Sequence, residues 1–241
     1  MILRRIIFSI SRKILEIFLM LSASSFSIKI QYFIYYFSEN KENELFKLKQ
    51  LISSKGNAID IGCNKGLFSY ALSKQSKIIK IYSFEPNKFI LNDLKNYNCK
   101  NIKIFNYALS NKDKNENLII PYYKRFELDG FATLEKKILL NQKFRKFKKI
   151  NIKTKKLDNF NFKNISFIKI DVEGHEISLL NGAKKIFKAN KPNCLIEIKK
   201  GNLFKVKKFF KSIDSKYKCI SKKKFSFKFS QENYFFSTDS K

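Results

Sequence analysis

The chain of 241 residues is long enough for one domain with a sizeable hydrophobic core, and its 44% hydrophobic content excludes a largely disordered chain. The formal net charge is +30, but only five of the 50 basic residues are Arg. Because Arg is the residue that makes bidentate contacts with phosphate and guanine, this charge is weak evidence for a nucleic-acid-binding protein. The four widely spaced cysteines and the single His argue against a zinc site and a disulfide framework, so we expect reduced thiols and a cytoplasmic protein.

The first segment, residues 2–21, has the pattern of an amphipathic helix. Charged residues such as Arg5 and Lys13 recur at every turn, and the unbroken apolar run Ile17–Leu21 is too short to span a membrane. The pattern favours a helix packed on its own domain, and docking on a membrane surface is the alternative. Glu16 counts against a cleaved signal peptide, because it lies inside the apolar stretch that such a peptide needs.

From residue 57 onward, strand-like and helix-like patterns alternate, which predicts an α/β fold with a doubly wound, mostly parallel sheet. The strand-like runs are Ala58–Ile61, Ile78–Phe84, Ile102–Tyr107, Phe167–Val172, Cys194–Ile198, Tyr217–Ile220 and Tyr234–Ser237. The helix-like stretches are about 66–74, 87–97, 175–189 and 202–213. Most residues of Phe167–Val172 are apolar, as expected for a strand that helices cover on both faces.

Residues 110–160 interrupt this alternation. They are polar, rich in Lys and hairpin-like around Leu118–Pro121 and Ile150–Thr154, and an insertion at this point is suited to line a substrate pocket. We therefore expect a helical appendage at residues 1–54, followed by a single domain at residues 55–241 that carries the insertion.

The turn after the first predicted strand is the strongest local motif. It reads Asp-Ile-Gly-Cys-Asn-Lys-Gly over Asp60–Gly66, and Gly62 lets the backbone turn sharply and approach a ligand. A dinucleotide fingerprint would have glycines at positions 62, 64 and 67, where the chain has Gly62, Asn64 and Leu67. The glycine that admits a pyrophosphate is missing, so a ligand without pyrophosphate fits better, and a tight turn without any ligand is the alternative.

An acidic residue follows the second predicted strand. Glu85 comes 19 residues after Gly66, a spacing that suits a carboxylate binding the ribose hydroxyls of a nucleoside. Pro86 ends the strand and fixes the place where this carboxylate is presented. The alternative is a solvated acid at a strand end.

Four titratable residues gather at the carboxyl end of the strand Phe167–Val172 and in the turn that follows it. Asp171 and Glu173 lie at its carboxyl end, and His175 and Glu176 begin the following helix. We interpret Glu176 as a first-turn acid that the helix dipole favours. His175 is interpreted either as catalytic or as a residue that caps or packs the helix start.

At these residues the sequence resembles the FkbM-type methyltransferases. The resemblance covers about residues 55–237, and its most specific element is the string Asp-Val-Glu-Gly-His-Glu at Asp171–Glu176. The matching residues are Ile59–Gly62, Asn64, Gly66, Glu85-Pro86, Tyr107–Ser110, Leu157-Asp158, Ile170–Glu176, Leu180, Gly182, Ala183, Ile196-Glu197 and Asn233–Phe235. Cys63 and Lys65 depart from the pattern, because smaller or apolar residues are commoner at those positions.

The resemblance implies a Rossmann-like class I methyltransferase fold, with a seven-stranded, mostly parallel sheet, its last strand antiparallel, and helices on both faces. It also implies the cofactor S-adenosylmethionine and methyl transfer to a hydroxyl of a sugar, a polysaccharide or a secondary metabolite. The residues expected to bind the cofactor are Asp60, Gly62, Cys63, Asn64, Gly66, Glu85, Pro86, Tyr107, Ala108 and Asp171.

Methyl transfer to a hydroxyl requires alignment and removal of one proton, because a sulfonium methyl group is already electrophilic. The candidate bases, in order, are His175, Asp171 and Glu173, with Glu197 as a supporting acid, and an imidazole changes charge near neutral pH. Asp171 is alternatively expected to orient the amino group of the methionine moiety. The acidic cluster could hold a divalent cation, but no ligand spacing in it demands one.

Two other functions stay open. The charge of +30 leaves a nucleic-acid methyltransferase, although the chain has no Asn-Pro-Pro-Tyr or Asp-Pro-Pro-Tyr string of the kind associated with amino methylation of bases. The other is a non-catalytic membrane-surface protein on a nucleotide-binding fold. We expect a small-molecule or glycan acceptor, no specific nucleic-acid partner, and residues 2–21 as the place of any peripheral membrane contact.

Overall fold

The computed structural model describes residues 28–29, 32, 43–95, 99–123, 126–137, 144–199, 201–220 and 233–239. The predicted amphipathic helix at residues 2–21 lies outside the described residues. Among the described residues, the helices α1 (Asn43–Phe46) and α2 (Leu48–Leu51) lie just before the first strand. In the part of the chain that the structure describes, no helix is long and apolar enough to cross a membrane.

The strands form a seven-stranded central sheet and a four-stranded second sheet. They are β1 (Gly56–Ile61), β2 (Ile78–Phe84), β3 (Ile102–Phe105), β4 (Ala108–Leu109), β5 (Lys114–Tyr123), β6 (Phe126–Glu127), β7 (Phe147–Lys155), β8 (Ile165–Ile170), β9 (Asn193–Glu197), β10 (Lys218–Ile220) and β11 (Asn233–Ser237). The order of the central sheet is β3-β2-β1-β8-β9-β11-β10. Its pairs are parallel except those of β11, which runs antiparallel to β9 and β10. The predicted fold, with its last strand antiparallel, is confirmed.

Helices cover both faces of the central sheet because its buried strands are apolar on both sides. Further helices are α3 (Leu67–Ser73), α4 (Leu91–Lys95), α5 (Glu176–Asn181), α6 (Lys184–Asn190) and α7 (Leu203–Ile213). Every residue of β8 is buried. Successive side chains of a strand point to opposite faces, so Ile168 packs in the core cluster with α5, α6 and α7, and Phe167 packs in the cluster with α1, α2 and α3.

The second sheet lies at the carboxyl end of β3. Its strand β4 begins at Ala108, three residues after β3 ends at Phe105, and β5 pairs antiparallel with β7 over eight residue pairs. This is the antiparallel pairing expected from the patterns in residues 110–160. Buried Leu118, Ile120 and Ile152 form a small core of their own with Ala108. The second sheet is therefore placed at the edge where the parallel strands end.

The helix predicted at residues 175–189 is wrong in one respect, because the structure divides it into α5 and α6. A Cβ atom at Gly182 would collide with the backbone carbonyl oxygen of Ser110, which lies against the break. The carboxylate of Asp158 accepts the backbone N–H groups of Lys185 and Ile186 and so caps the start of α6. Contacts with distant residues, rather than local helix preference, end α5 at this point.

Candidate functional site

A cavity of about 440 Å³ opens at the carboxyl ends of β1, β2, β8 and β9, and we call it the strand-end cavity. Residues predicted for the site that line it are Asp60, Gly62, Cys63, Asn64, Glu85, Pro86, Tyr107, Ala108, Asp171, Glu173, His175 and Glu197. Ligands bind at this edge in open α/β sheets. Residues from three separate sequence motifs are thus brought to one cavity.

Gly66 is the predicted cofactor-binding residue that does not line the cavity. It stands before α3 with a φ of 89°, and its backbone N–H donates to the carbonyl of Cys63 at 2.8 Å. A Cβ atom at Gly66 would collide with the side chain of Leu94. Gly66 therefore supports the turn from behind, while Gly62, with a φ of 75°, and Asn64, with a φ of 49°, form its cavity side.

Glu85 is buried with both carboxylate oxygens held by backbone donors. The N–H of Asn64 donates to Oε2 at 3.0 Å, and the N–H of Asn87 donates to Oε1 at 2.9 Å. Burial raises the pKa of Glu85 to about 7, although these two hydrogen bonds act in the opposite direction. Each carboxylate oxygen offers two lone-pair sites, so both oxygens keep acceptor capacity for a ligand.

Asp60, at the end of β1, is a second buried carboxyl group on the cavity. The hydroxyl of Ser69 donates to its Oδ2 at 2.5 Å and lies 2.7 Å from the hydroxyl of Ser83. Burial raises the pKa of Asp60 to about 6. The Ser69 hydroxyl has one hydrogen, so Ser83 donates to Ser69 while Ser69 donates to Asp60.

Asp171, Glu173 and Glu197 form the acidic cluster, in which one oxygen from each lies within 4.8 Å of the others. Lys199 Nζ lies 3.0 Å from both Glu173 Oε2 and Glu197 Oε1, and buried Lys169 lies 3.4 Å from Asp171 Oδ2. Burial, followed by the neighbouring Asp171, raises the pKa of Glu173 to about 7 and also raises the pKa of Glu197. The two lysines thus place positive charge directly beside the three carboxylates.

His175 is 8% exposed and lines the cavity, and both of its ring nitrogens have partners. Nε2 lies 2.9 Å from the hydroxyl of Ser110, and Nδ1 lies 2.7 Å from Glu135 Oε1. The structure places His175 on the cavity, and neither of its two partners was named from the sequence. Ser110 belongs to the matched run Tyr107–Ser110, and that was a signal that could have found it.

Glu176 does more than the predicted helix-dipole interaction. Its Oε1 accepts the backbone N–H of Gly174 at 3.0 Å and that of Lys199 at 3.3 Å, and its Oε2 accepts the side chain of Asn202 at 2.7 Å. These bonds join the turn after β8 to the loop after β9. Glu176 thereby fixes the two chain segments that carry the acidic cluster.

The far wall of the cavity comes from the insertion and was missed at the level of single residues. Its members are Leu118, Asp129, Gly130, Ala132, Thr133 and Leu134. Two bonds tie this wall to the central sheet: Thr133 Oγ1 donates to the carbonyl of Glu173 at 2.7 Å, and Asn87 Nδ2 donates to Asp129 Oδ1 at 3.1 Å. Nothing in the local pattern of residues 129–134 indicates this position.

Comparison with known proteins is consistent with this geometry. A family model described as methyltransferase FkbM domain matches residues 60–227, which is more than half of the chain. No curated protein matches. The chain is similar to the crystal structure of methyltransferase FkbM from Methylobacillus flagellatus KT, at 16% identity and a TM-score of 0.55, over 85% of this chain and 50% of that chain.

Two further solved structures are more distant. An rRNA methylase from Streptococcus thermophilus has 11% identity and a TM-score of 0.46, over 83% of this chain and 96% of that one. A protein from Streptococcus mutans in complex with SAH has 14% identity and a TM-score of 0.45, over 83% and 97% of the two chains. The chain spans only half the length of the Methylobacillus protein, with which it shares the fold.

Proposed function

The chain belongs to the methyltransferase FkbM domain family, and on that premise we propose that it transfers a methyl group from S-adenosylmethionine to a hydroxyl of a small-molecule or glycan acceptor. One observation carries this proposal. A single cavity is lined by a glycine turn and a buried acid of the kind that holds a nucleoside, and also by an acidic cluster suited to take up a proton.

The residues present fit the proposed donor. Glu85 keeps acceptor capacity on both carboxylate oxygens for the two ribose hydroxyls, and the turn at Gly62–Asn64 offers backbone at close range without a pyrophosphate cradle. We assign the donor site to these residues together with Asp60, Pro86, Tyr107, Ala108 and Asp171, with Gly66 supporting the turn. The bound donor supplies an electrophilic methyl group.

The chain's own task is to hold the acceptor oxygen in line with that methyl group and to accept its proton. Glu173 fits the role of base best, because it lines the cavity and its pKa of about 7 lies near neutral pH. Asp171 and Glu197 support it in two ways. Alongside burial, their negative charges raise the pKa of Glu173, and their carboxylates orient the donor's amino group. His175 ranks below Glu173, since both of its ring nitrogens are already engaged.

Donor binding and acceptor chemistry are tested separately. Calorimetry of the full chain should show micromolar affinity for S-adenosylmethionine, on the order of −8 kcal/mol, and no NADH binding. Transfer of an isotopically labelled methyl group to a panel of saccharides and hydroxylated metabolites, read by mass spectrometry, then tests O-methylation. NADH binding without donor binding would overturn the assignment of the cofactor, and label found only on nitrogen would overturn O-methylation.

We also propose the division into an appendage at residues 1–54 and a methyltransferase domain at residues 55–241 in the cytoplasm. The net charge of +30 favours one second candidate, a nucleic-acid methyltransferase.

Vesicle sedimentation of the full chain and of a chain lacking residues 1–25 decides whether residues 2–21 dock on a membrane. Loss of vesicle binding only in the shortened chain supports docking, and equal behaviour supports packing on the domain.

A further inference from the structure

His175 stands at the centre of a hydrogen-bonded chain of three side chains. Its Nδ1 lies 2.7 Å from Glu135 Oε1 and its Nε2 lies 2.9 Å from Ser110 Oγ. The imidazole is the sole one in the protein and its side chain is 10% exposed, while the side chain of Glu135 is 41% exposed. Ser110 is buried. This hydrogen-bonded series of side chains therefore runs from the interior of the protein to its surface.

The hydrogen bonds define which ring nitrogen carries the proton. An ionised carboxylate only accepts hydrogen bonds, so Nδ1 carries the hydrogen and donates it to Glu135. In the neutral ring Nε2 is then an acceptor, and the hydroxyl of Ser110 donates to it. The other neighbour of the Ser110 hydroxyl, Asn111 Oδ1, lies farther away at 3.5 Å, which leaves Nε2 as the better acceptor.

The three side chains come from three segments that meet at this cavity. Ser110 follows β4, and its backbone N–H donates to the carbonyl of Lys155 at 2.9 Å, so this end of the chain is anchored. His175 precedes α5, and Glu135 lies in the insertion, two residues beyond Thr133. Thr133 Oγ1 donates to the carbonyl of Glu173 and also accepts the backbone N–H of Glu135 at 3.0 Å.

We propose that Ser110, His175 and Glu135 form a positioning chain that holds residues 132–134 of the far wall against the turn that carries Glu173. This inference rests on the proposed function for its effect on catalysis. His175 holds the site together and does not take up the acceptor's proton. Ser110 and Glu135 are positioning residues that act through His175, and the wall they fix sets the affinity for the acceptor.

The tautomer of His175 tests the arrangement without any acceptor. Because the chain has one His, a protein labelled with ¹⁵N in histidine gives a single imidazole whose two nitrogens are read directly by NMR. We expect the Nδ1–H tautomer in the wild-type protein at pH 8. We expect a mixture of tautomers in Glu135→Ala, whereas Ser110→Ala should keep the Nδ1–H tautomer, because Glu135 still accepts the hydrogen bond from Nδ1. An Nε2–H tautomer in the wild-type protein would overturn the positioning chain and leave the methyltransferase assignment untouched.

Hydrogen exchange tests whether this chain holds the wall. The backbone N–H of Ile119 donates to the carbonyl of Thr133 at 2.9 Å, and the N–H of Thr133 donates to the carbonyl of Ile119 at 3.0 Å. The exchange rates of these two amides report on the wall. In Glu135→Ala we expect their exchange to speed up by about tenfold. Glu127→Ala is the matched control, since Glu127 also lies in the insertion but pairs with Lys148 and Tyr122. Equal exchange in Glu135→Ala and the control would show that Glu135 does not hold the wall.

Discussion

The backbone carbonyl oxygen of Asp171 lies where a Cβ atom on Gly62 would have to stand. The backbone N–H of Asp171 in turn donates to the carbonyl of Ile61 at 2.9 Å. The turn after β1 and the end of β8 therefore meet through backbone atoms. This close approach joins the proposed donor side of the cavity to its acidic cluster.

Gly62→Ala should be far more damaging than an equal change at another glycine of positive φ. Gly201, with a φ of 97° and no atom within 4 Å of an added Cβ, is the matched control. Both variants carry dihedral strain, and we expect a loss of about 1 kcal/mol for Gly201→Ala against roughly 3 kcal/mol for Gly62→Ala, which adds the collision with Asp171. Urea unfolding measures both. Equal losses would show that the contact with Asp171 is easily relieved.

Donor affinity should rise with pH through neutrality. Burial raises the pKa of Glu85 to about 7, so the free protein holds this carboxyl group partly protonated, and ribose hydroxyls donate best to the ionised form. Below pH 7 we expect about a tenfold loss of affinity per pH unit. Calorimetry from pH 6 to pH 8 measures it. Glu85→Gln should bind weakly and lose this dependence, and any change with pH that it retains measures titration of the donor itself.

Glu173→Gln should lower kcat by about 10²–10⁴ with little change in donor affinity, if Glu173 accepts the proton. In the wild-type enzyme kcat should rise with pH through about 7, where this carboxyl group ionises. His175→Gln should retain that rise and lose mainly affinity for the acceptor. The reverse pattern, with kcat lost in His175→Gln and kept in Glu173→Gln, would make His175 the base.

Asp60 should make the stability of the free protein depend on pH. Its pKa is about 6 in the folded protein against a usual 3.8, so the folded state binds this proton more tightly. The stabilisation is fully present below pH 3.8 and is lost as pH rises through 6. Relative to Asp60→Asn, the wild-type protein should lose about 1–4 kcal/mol between pH 3.5 and pH 8. A difference in unfolding free energy between the two proteins that stays constant with pH would show that folding does not raise the pKa of Asp60.

Binding to nucleic acid should be weak and insensitive to sequence, because the excess charge is carried by Lys rather than Arg. Counterion release makes such binding fall steeply, by about 10³ or more between 50 and 200 mM salt when six or more phosphates are contacted. Fluorescence anisotropy with unrelated RNA and DNA oligonucleotides measures this. Tight binding of one sequence at physiological salt would instead favour the nucleic-acid methyltransferase.

The central sheet could be predicted well from the sequence because the pattern that indicates each strand lies within a few consecutive residues. The apolar run at Phe167–Val172 and the turn at Gly62 needed no distant information, and β8 ends two residues earlier than predicted. The contacts that divide the helix at Gly182 and engage His175 come from Ser110, 65 residues from His175 in sequence. Such partners have no local signal, so the insertion was expected to line a pocket, but the residues of its far wall and Lys199 were not named.

The placement of β11 between β9 and β10 has a consequence for synthesis of the chain. Until residues 233–237 leave the ribosome, β9 has no partner on that side, and its unpaired backbone groups offer a template for pairing with other chains. The ring of Phe236 also stacks on Phe210 of α7, at 4.1 Å between ring centroids. Pairing of β9 on this side therefore waits until residues 233–237 have been synthesised, and unpaired β9 favours aggregation of nascent chains before that point.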